Sequence, residues 1–284
     1  MLRKTTVKNI TSTMTIALAA LTLVGCTLPE LPNVSSNPTS DPIVTAQNDN
    51  DDDKSGDEND NDDIKSGDEK HNSVWVMVKS TVTYGDGTLF CTNEGEHDEY
   101  GNVIRITQYD ANGNLVQTTS MEYDENKNNT RTCSYDENGN LYNEMTFTYD
   151  KNNNLISSTM TTSLGAFDVV NTTEYAYNGD KISKTTVYSQ DGLEVYHTVY
   201  TYPDKFTGES ISYYSTYETK TVDTFDENGN TVKTVNYDKD GNEIHVITYE
   251  YDDNGNLLCM INSVHDGVSD EDLIYKYEYI EITL

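Results

Sequence analysis

The residues able to do chemistry are few and scattered, and they narrow the functional classes before any fold is considered. Of the four cysteines, Cys26, Cys91, Cys133 and Cys259, no two stand in a CxxC pair, so a zinc site is not indicated. With Cys26 set aside, the other three allow at most one disulfide. Cys133, sharing a face with Arg131 and Tyr135, reads as a small buried residue rather than a reactive thiol. The histidines, His71, His97, His197, His245 and His265, sit in no HExxH and beside no GxSxG serine, which leaves a zinc or serine hydrolase without support. Carboxylates are abundant. A pair such as Glu243 and Asp252 is of the type a glycosidase uses, so a glycan-active enzyme is the least supported of the readings kept open. Tyrosine remains. All 22 tyrosines lie after Ser73, and rings on one side of a strand can stack on sugars. Tyr196, Tyr200 and Tyr202 would share one strand face, and Tyr213, Tyr214 and Tyr217 cluster in an irregular segment close by.

The elements that must position these residues begin only after two segments without a core. Residues 1 to 25 open with Arg3, Lys4 and Lys8 and continue into an apolar run from Ile16 to Val24, too short to span a bilayer as a mature helix. It is the pattern of a secretory signal. The run closes on Leu23, Val24, Gly25 and Cys26, and this resembles the bacterial lipoprotein lipobox. The resemblance implies that the Cys26 thiol receives a diacylglycerol, that cleavage leaves Cys26 as the mature N-terminus, and that the chain is held by lipid on the extracytoplasmic side of the cell membrane. Each buried acyl CH₂ adds about 0.8 kcal/mol of membrane affinity, so stable attachment takes at least two chains.

Residues 26 to 72 read as a disordered stalk. Pro29, Pro32, Pro38 and Pro42 come first, among Ser, Thr and Asn. Then NDNDDDKSGDE (48 to 58) is repeated as NDNDDIKSGDE (59 to 69), differing only at Asp53 against Ile64. So acidic a stretch repels itself and cannot bury a core. An EF-hand register fails here, because from Asp49 the glycine and glutamate places hold Lys54 and Asp60. No cofactor is expected, beyond weak, nonspecific calcium binding along the stalk.

From Ser73 to Leu284 period two replaces everything else, and no stretch keeps helical spacing for three turns. The stretch YDENGNL, Tyr135 to Leu141, recurs between His97 and Leu257. Its glycine suits a left-handed turn position and its aspartate accepts backbone hydrogen bonds, which together make a hairpin corner with a bulge. Clear copies begin at His97, Tyr109, Tyr135, Phe225, Tyr237 and Tyr251; weaker ones begin at Tyr123, Tyr149, Thr161, Tyr175 and Tyr188. Segments of seven and nine residues alternate between corners, at 103 to 109, 115 to 123, 129 to 135 and 141 to 149. Turns this tight require antiparallel pairing. The expectation is an all-β fold: an elongated or curled antiparallel meander of hairpin repeats over 73–284, with Val74–Tyr84 and Leu273–Leu284 as distinct end strands. The segment from Thr207 to Phe225 breaks the spacing and reads as a bend or a binding loop.

The repeat resembles the YD repeat of Rhs-type bacterial surface and toxin proteins at its aromatic, Asp, Gly and following apolar residue, as at Tyr109, Asp110, Gly113 and Leu115. In that family long arrays build a β shell around a toxin or make cell-surface contacts. Here Asn follows the glycine where Arg is commoner, the array is too short to enclose a cargo, and the one Asp-Pro, Asp41-Pro42, lies in the stalk. What the resemblance implies is a secreted, non-enzymatic β-repeat scaffold, membrane-anchored through its N-terminal lipid, that binds an extracellular protein or a glycan. An immunity or antitoxin-like protein is the alternative. The net charge of −31 argues against nucleic acid and anionic membrane surfaces as partners.

Overall fold

The computed structural model describes residues 73–165, 167–264 and 272–283; Leu23, Val24, Gly25, Cys26 and the acidic stalk lie outside them. Within these residues the regular elements are all strands. The first eight are β1 Ser73–Tyr84, β2 Leu89–His97, β3 Val103–Asp110, β4 Leu115–Tyr123, β5 Asn129–Asp136, β6 Leu141–Tyr149, β7 Leu155–Ser163 and β8 Asp168–Asn178. The second eight are β9 Lys181–Ser189, β10 Glu194–Thr201, β11 Thr207–Tyr213, β12 Glu218–Phe225, β13 Thr231–Tyr237, β14 Glu243–Tyr251, β15 Leu257–Val264 and β16 Asp272–Thr283.

Each strand pairs antiparallel with its neighbours in sequence, and β1 pairs with β16, so the sheet is a closed barrel. All-β and antiparallel hold, but an open array with capped ends does not. The two strands expected as end units run alongside each other from Ser73↔Thr283 to Tyr84↔Leu273. Both are 12 residues long, longer than the strands between them, and pairing satisfies backbone groups that two free edges would expose. The irregular segment also resolves: Thr207–Tyr213 and Glu218–Phe225 are ordinary paired strands, and the departure is confined to the tip between them.

One corner explains most of the turns. Gly139 has φ 82 and donates its N–H to the Asp136 carbonyl, while the Asp136 N–H reaches the Asn140 carbonyl. Asp136 Oδ1 accepts the N–H groups of Asn138 and Asn140, and Oδ2 accepts the Asn140 side-chain amide at 2.9 Å. The same aspartate-to-asparagine clamp closes the turns of Asp98, Asp110, Asp124, Asp150, Asp226, Asp238 and Asp252. The asparagine after the glycine is therefore half of a side-chain clamp. At the left-handed place two turns carry other residues, Lys127 (φ 67) and Asn153 (φ 65).

The barrel has two ends. The proximal end holds Ser73 and the turns that follow the even strands; the distal end holds the turns that follow the odd strands up to β13. Each clamped hairpin has one register shift, placed at its aromatic residue. At the proximal end Tyr123↔Asn129, Tyr149↔Leu155 and Tyr251↔Leu257 follow such a shift, with His97↔Val103 and Phe225↔Thr231 at equivalent places. These tyrosines lie on the buried side of the wall. Their hydroxyls donate to backbone carbonyls: Tyr123 to Val103, Tyr149 to Asn129, Tyr177 to Leu155, Tyr251 to Thr231 and Tyr279 to Leu257, at 2.7 to 3.0 Å. Tyr177, rather than Tyr175, takes this role in β8.

Inside, one half of the wall is apolar: Met77, Val82, Cys91, Ile106, Met121, Ile247, Met260, Tyr275 and Tyr277 form a buried cluster across β1–β4 and β14–β16. Between and beyond them run polar ladders. Gln108 donates to Asn93 at 3.1 Å and Asn93 to Ser80 at 2.9 Å, and the Tyr142 hydroxyl donates to Gln117. Amides and hydroxyls are tolerated there because they find partners on the next strand or, for Tyr142 and Gln117, across β5.

Candidate functional site

The six tyrosines singled out by the sequence are brought together only in part. Tyr196 and Tyr200 do share one side of β10, with Tyr202 just past its end, but that side is the inner one. Tyr200 is buried with its hydroxyl 3.4 Å from Thr185 Oγ1, and Tyr202 lies under the Lys181 ammonium at 4.1 Å. They form no exposed platform. Tyr196, at the distal end of the strand, instead stacks on Tyr214 (4.9 Å between centroids, 28°), and Tyr214 stacks on Tyr217 (4.5 Å, 15°). Burial among these rings pushes the Tyr214 hydroxyl well above its ordinary pKa. Tyr213 faces the other way and stacks on His197 outside the wall (5.1 Å, 28°).

The stack stands at the third of three neighbouring distal tips that differ from the clamped ones. The tips of β3–β4, β5–β6 and β13–β14 carry the clamp of Asp and Asn. Those of β7–β8, β9–β10 and β11–β12 lack it and turn apolar side chains outward. Phe167 is 62% exposed, Leu193 69% and Tyr217 49%, with Leu164 and Val195 beside them. Backbone bonds close these tips, from the Leu164 N–H to the Phe167 carbonyl, from Ser189 to Leu193 and from Tyr214 to Tyr217. Large apolar groups held outward by closed turns, in one sector of one end, mark an interaction surface better than scattered ones do. Exposed carboxylates of Asp168, Asp191, Glu194 and Glu218 lie among them, Glu194 accepting from His197 Nδ1 at 2.7 Å.

A second constellation lies within the wall. Thr221 donates to Asn236 Oδ1 (2.7 Å), the Asn236 amide donates to His245 Nδ1 (3.1 Å), and His245 Nε2 donates to Asn262 Oδ1. That chain links β12, β13, β14 and β15 through the buried His245 ring. Nearby in the register, Asp223 accepts from Thr234 at 2.6 Å, and burial pushes its carboxyl up to about 6 against that bond. These groups saturate one another and serve the wall. The carboxylate pair Glu243 and Asp252 is taken apart by the fold: one begins β14 and the other follows it, roughly 25 to 30 Å of strand between them, far beyond the 5 to 10 Å or so of a glycosidase pair. Cys91 and Cys133 are buried, Cys259 is partly so, and the three lie on separate strands.

No protein-family model matches the chain, and no curated protein matches its sequence. Among solved structures it is similar in chain course to a porin-like protein from Bacteroides uniformis, at 15% identity and a TM-score of 0.48, over 72% of this chain and 98% of that one. A porin-like protein from Bacteroides vulgatus matches at 12% identity and 0.44, with the same coverage. A TcdB2–TccC3–Cdc42 crystal structure matches at 15% and 0.26, covering 70% of this chain and 14% of that one.

Sequence reasoning passed over Leu164, Phe167 and Leu193, which lie in the weaker copies beginning at Thr161 and Tyr188. The signal available was negative: three successive distal corners in which the Asp-to-Asn spacing is missing while its neighbours keep it.

Proposed function

We propose that this protein is a lipid-tethered β-barrel on the outer side of a bacterial membrane, binding a protein or a glycan at its distal end without chemical turnover. The observation that carries the reading is the outward side of the wall. It presents Thr92, Glu94 and Glu96 on β2, Arg105 and Thr107 on β3, and Glu144, Thr146 and Thr148 on β6, and Arg131 there forms ion pairs with Glu122 (3.0 Å) and Glu144 (2.6 Å). A barrel immersed in lipid needs an apolar outward band roughly 25 Å tall. Over β2, β3, β5 and β6 the outward side is one of threonines and charges suited to water, which supports attachment through the lipid that the Cys26 motif implies. Ser73 starts β1 at the proximal end, so a tether entering there leaves the three apolar tips facing away from the membrane.

The test is direct. Cells fed a labelled fatty acid should label the wild-type chain and leave Cys26→Ser unlabelled and released from the membrane fraction. Intact cells treated with protease should lose the barrel domain through cuts in the stalk. An unmodified Cys26 thiol in protein recovered from its host sinks the tether, and turnover of a glycan by the purified chain sinks the non-enzymatic half.

A further inference from the structure

We infer that the distal tips of β7–β8, β9–β10 and β11–β12 form a binding face for an extended, uncharged, β-linked polysaccharide; this rests on the surface-binding function proposed above and gives it a site and a ligand class. Three features of the tips point the same way. The first is the platform. Tyr217 is held flat by Tyr214, which is in turn held by Tyr196, with centroid separations of 4.5 and 4.9 Å. The ring is therefore ordered before a ligand arrives, and binding loses little side-chain entropy. Phe167, two hairpins away, offers a second exposed ring.

The second feature is the mixture. The tip segments 163–168, 189–194 and 213–218 contain no lysine or arginine, and the carboxylates of Asp191 and Glu218 stand exposed among the apolar groups. Sugar rings present apolar C–H faces bordered by hydroxyl edges, and rings flanked by hydrogen-bond acceptors match that alternation. A wholly apolar protein patch would be interrupted by the acids, and an anionic polymer would be repelled by them.

The third is the pitch. Neighbouring hairpins repeat every two strands, which places the tips about 10 Å apart. That is the order of the two-sugar repeat of an extended β-linked chain, so three tips would engage about three disaccharides in succession.

The full-length chain, kept in detergent throughout, is titrated calorimetrically with neutral β-linked oligosaccharides of glucose, mannose and N-acetylglucosamine, of two, four, six and eight units. Affinity should rise with length up to six units and level off. Tyr217→Ala and Phe167→Ala should each weaken six-unit binding roughly five- to tenfold, the scale of one aromatic contact. Tyr217→Phe should restore it, and Tyr100→Ala, an exposed ring at the proximal end, should leave it unchanged. A circular dichroism spectrum matching wild type establishes that each variant is folded. The inference is overturned if no neutral oligosaccharide binds at millimolar concentration, if acidic polysaccharide fragments bind as well or better, or if both alanine variants bind as wild type does. A protein captured through these same tips, with no sugar binding, also overturns it while leaving the surface-binding function standing. Sugar binding that persists in Cys26→Ser, with the membrane attachment lost, supports it whatever becomes of the tether.

Discussion

The two ends of this barrel are made by the same corner, yet they use its tyrosine in opposite ways. At the proximal end Tyr123, Tyr149 and Tyr251 point into the wall and bond to a carbonyl one strand away. At the distal end Tyr109, Tyr135 and Tyr237 follow Gln108, Ser134 and Asn236, which face inward, and so they point out, across from Leu115, Leu141 and Glu243. Strand length decides this. Each bulge moves the chain by one residue, and the alternation of the shorter β3, β5 and β13 with the longer β4, β6 and β14 keeps inner residues aligned while carrying the aromatic from one face to the other. A single repeat motif can thus supply a packed, tyrosine-lined base and leave the opposite end free to vary. Corners without the clamp occur at both ends, β8–β9 and β10–β11 among the proximal ones, but the three distal ones hold Phe167, Leu193 and Tyr217 exposed.

The largest test of this contrast is truncation of the ring at each end. Tyr149→Ala removes a mostly buried ring and orphans the Asn129 carbonyl, and should cost about 3 kcal/mol, near the lower end for burial of an aromatic. Tyr135→Ala, at the matching place of the distal corner, should cost under about 1 kcal/mol. Urea unfolding midpoints measure both, and equal losses would break the distinction between the ends. Tyr149→Phe refines it, since loss of the hydroxyl alone should cost about 1 kcal/mol.

Strand positions were legible because the glycines and their aspartates are local signals. The segments 115 to 123 and 141 to 149 coincide with β4 and β6, and Tyr135 does pair with Leu141. Which face turns inward was much harder to read. The interior holds Asn93, Gln108, Thr119 and Ser134, all buried, so polarity does not mark the outside, and the aromatic that looks equivalent in every copy alternates sides. Closure was hidden for a different reason. It depends on a pairing between Ser73–Tyr84 and Asp272–Thr283, the most distant strands in the chain, and no local pattern encodes that. For the site, Tyr214 and Tyr217 were visible as aromatics, while Tyr200 proved to be wall.

The next test sets a wall carboxylate against those at the ends. The aspartates of the corners, such as Asp136 at the distal end and Asp150 at the proximal end, are held below the ordinary carboxylate range by their Asn140 and Asn154 partners. Their stabilisation is present above the unfolded pKa near 4 and lost as pH falls through the folded value. Asp223 has the opposite sign. Burial raises it to about 6, so between pH 4 and 6 the unfolded chain gives up a proton that the folded chain keeps, and stability falls as pH rises through that window. Asp223→Asn should therefore gain about 2 to 3 kcal/mol at pH 7.5 and almost nothing at pH 4. Equal gains at both pH values would show that charge burial is not the cause. The acid limb owed to the corners should persist unchanged in this variant.

The smallest effect separates what the ends share from what divides them. Lys127 at the proximal end and Gly139 at the distal end occupy the same left-handed place, with φ 67 and 82. A Cβ there is strained by the backbone itself, wherever the corner sits, and no neighbour lies within 4 Å of the site a Cβ would take on Gly139. Lys127→Gly should then gain about 1 kcal/mol and Gly139→Lys lose about as much, since φ rather than packing sets the difference. If both shifts appear with equal size in urea midpoints, the corner is one device used at both ends, and the contrast between them belongs to the direction of the tyrosine. If only the proximal substitution matters, the corners themselves differ, and the distal end owes its freedom to looser turns instead of to outward-facing rings.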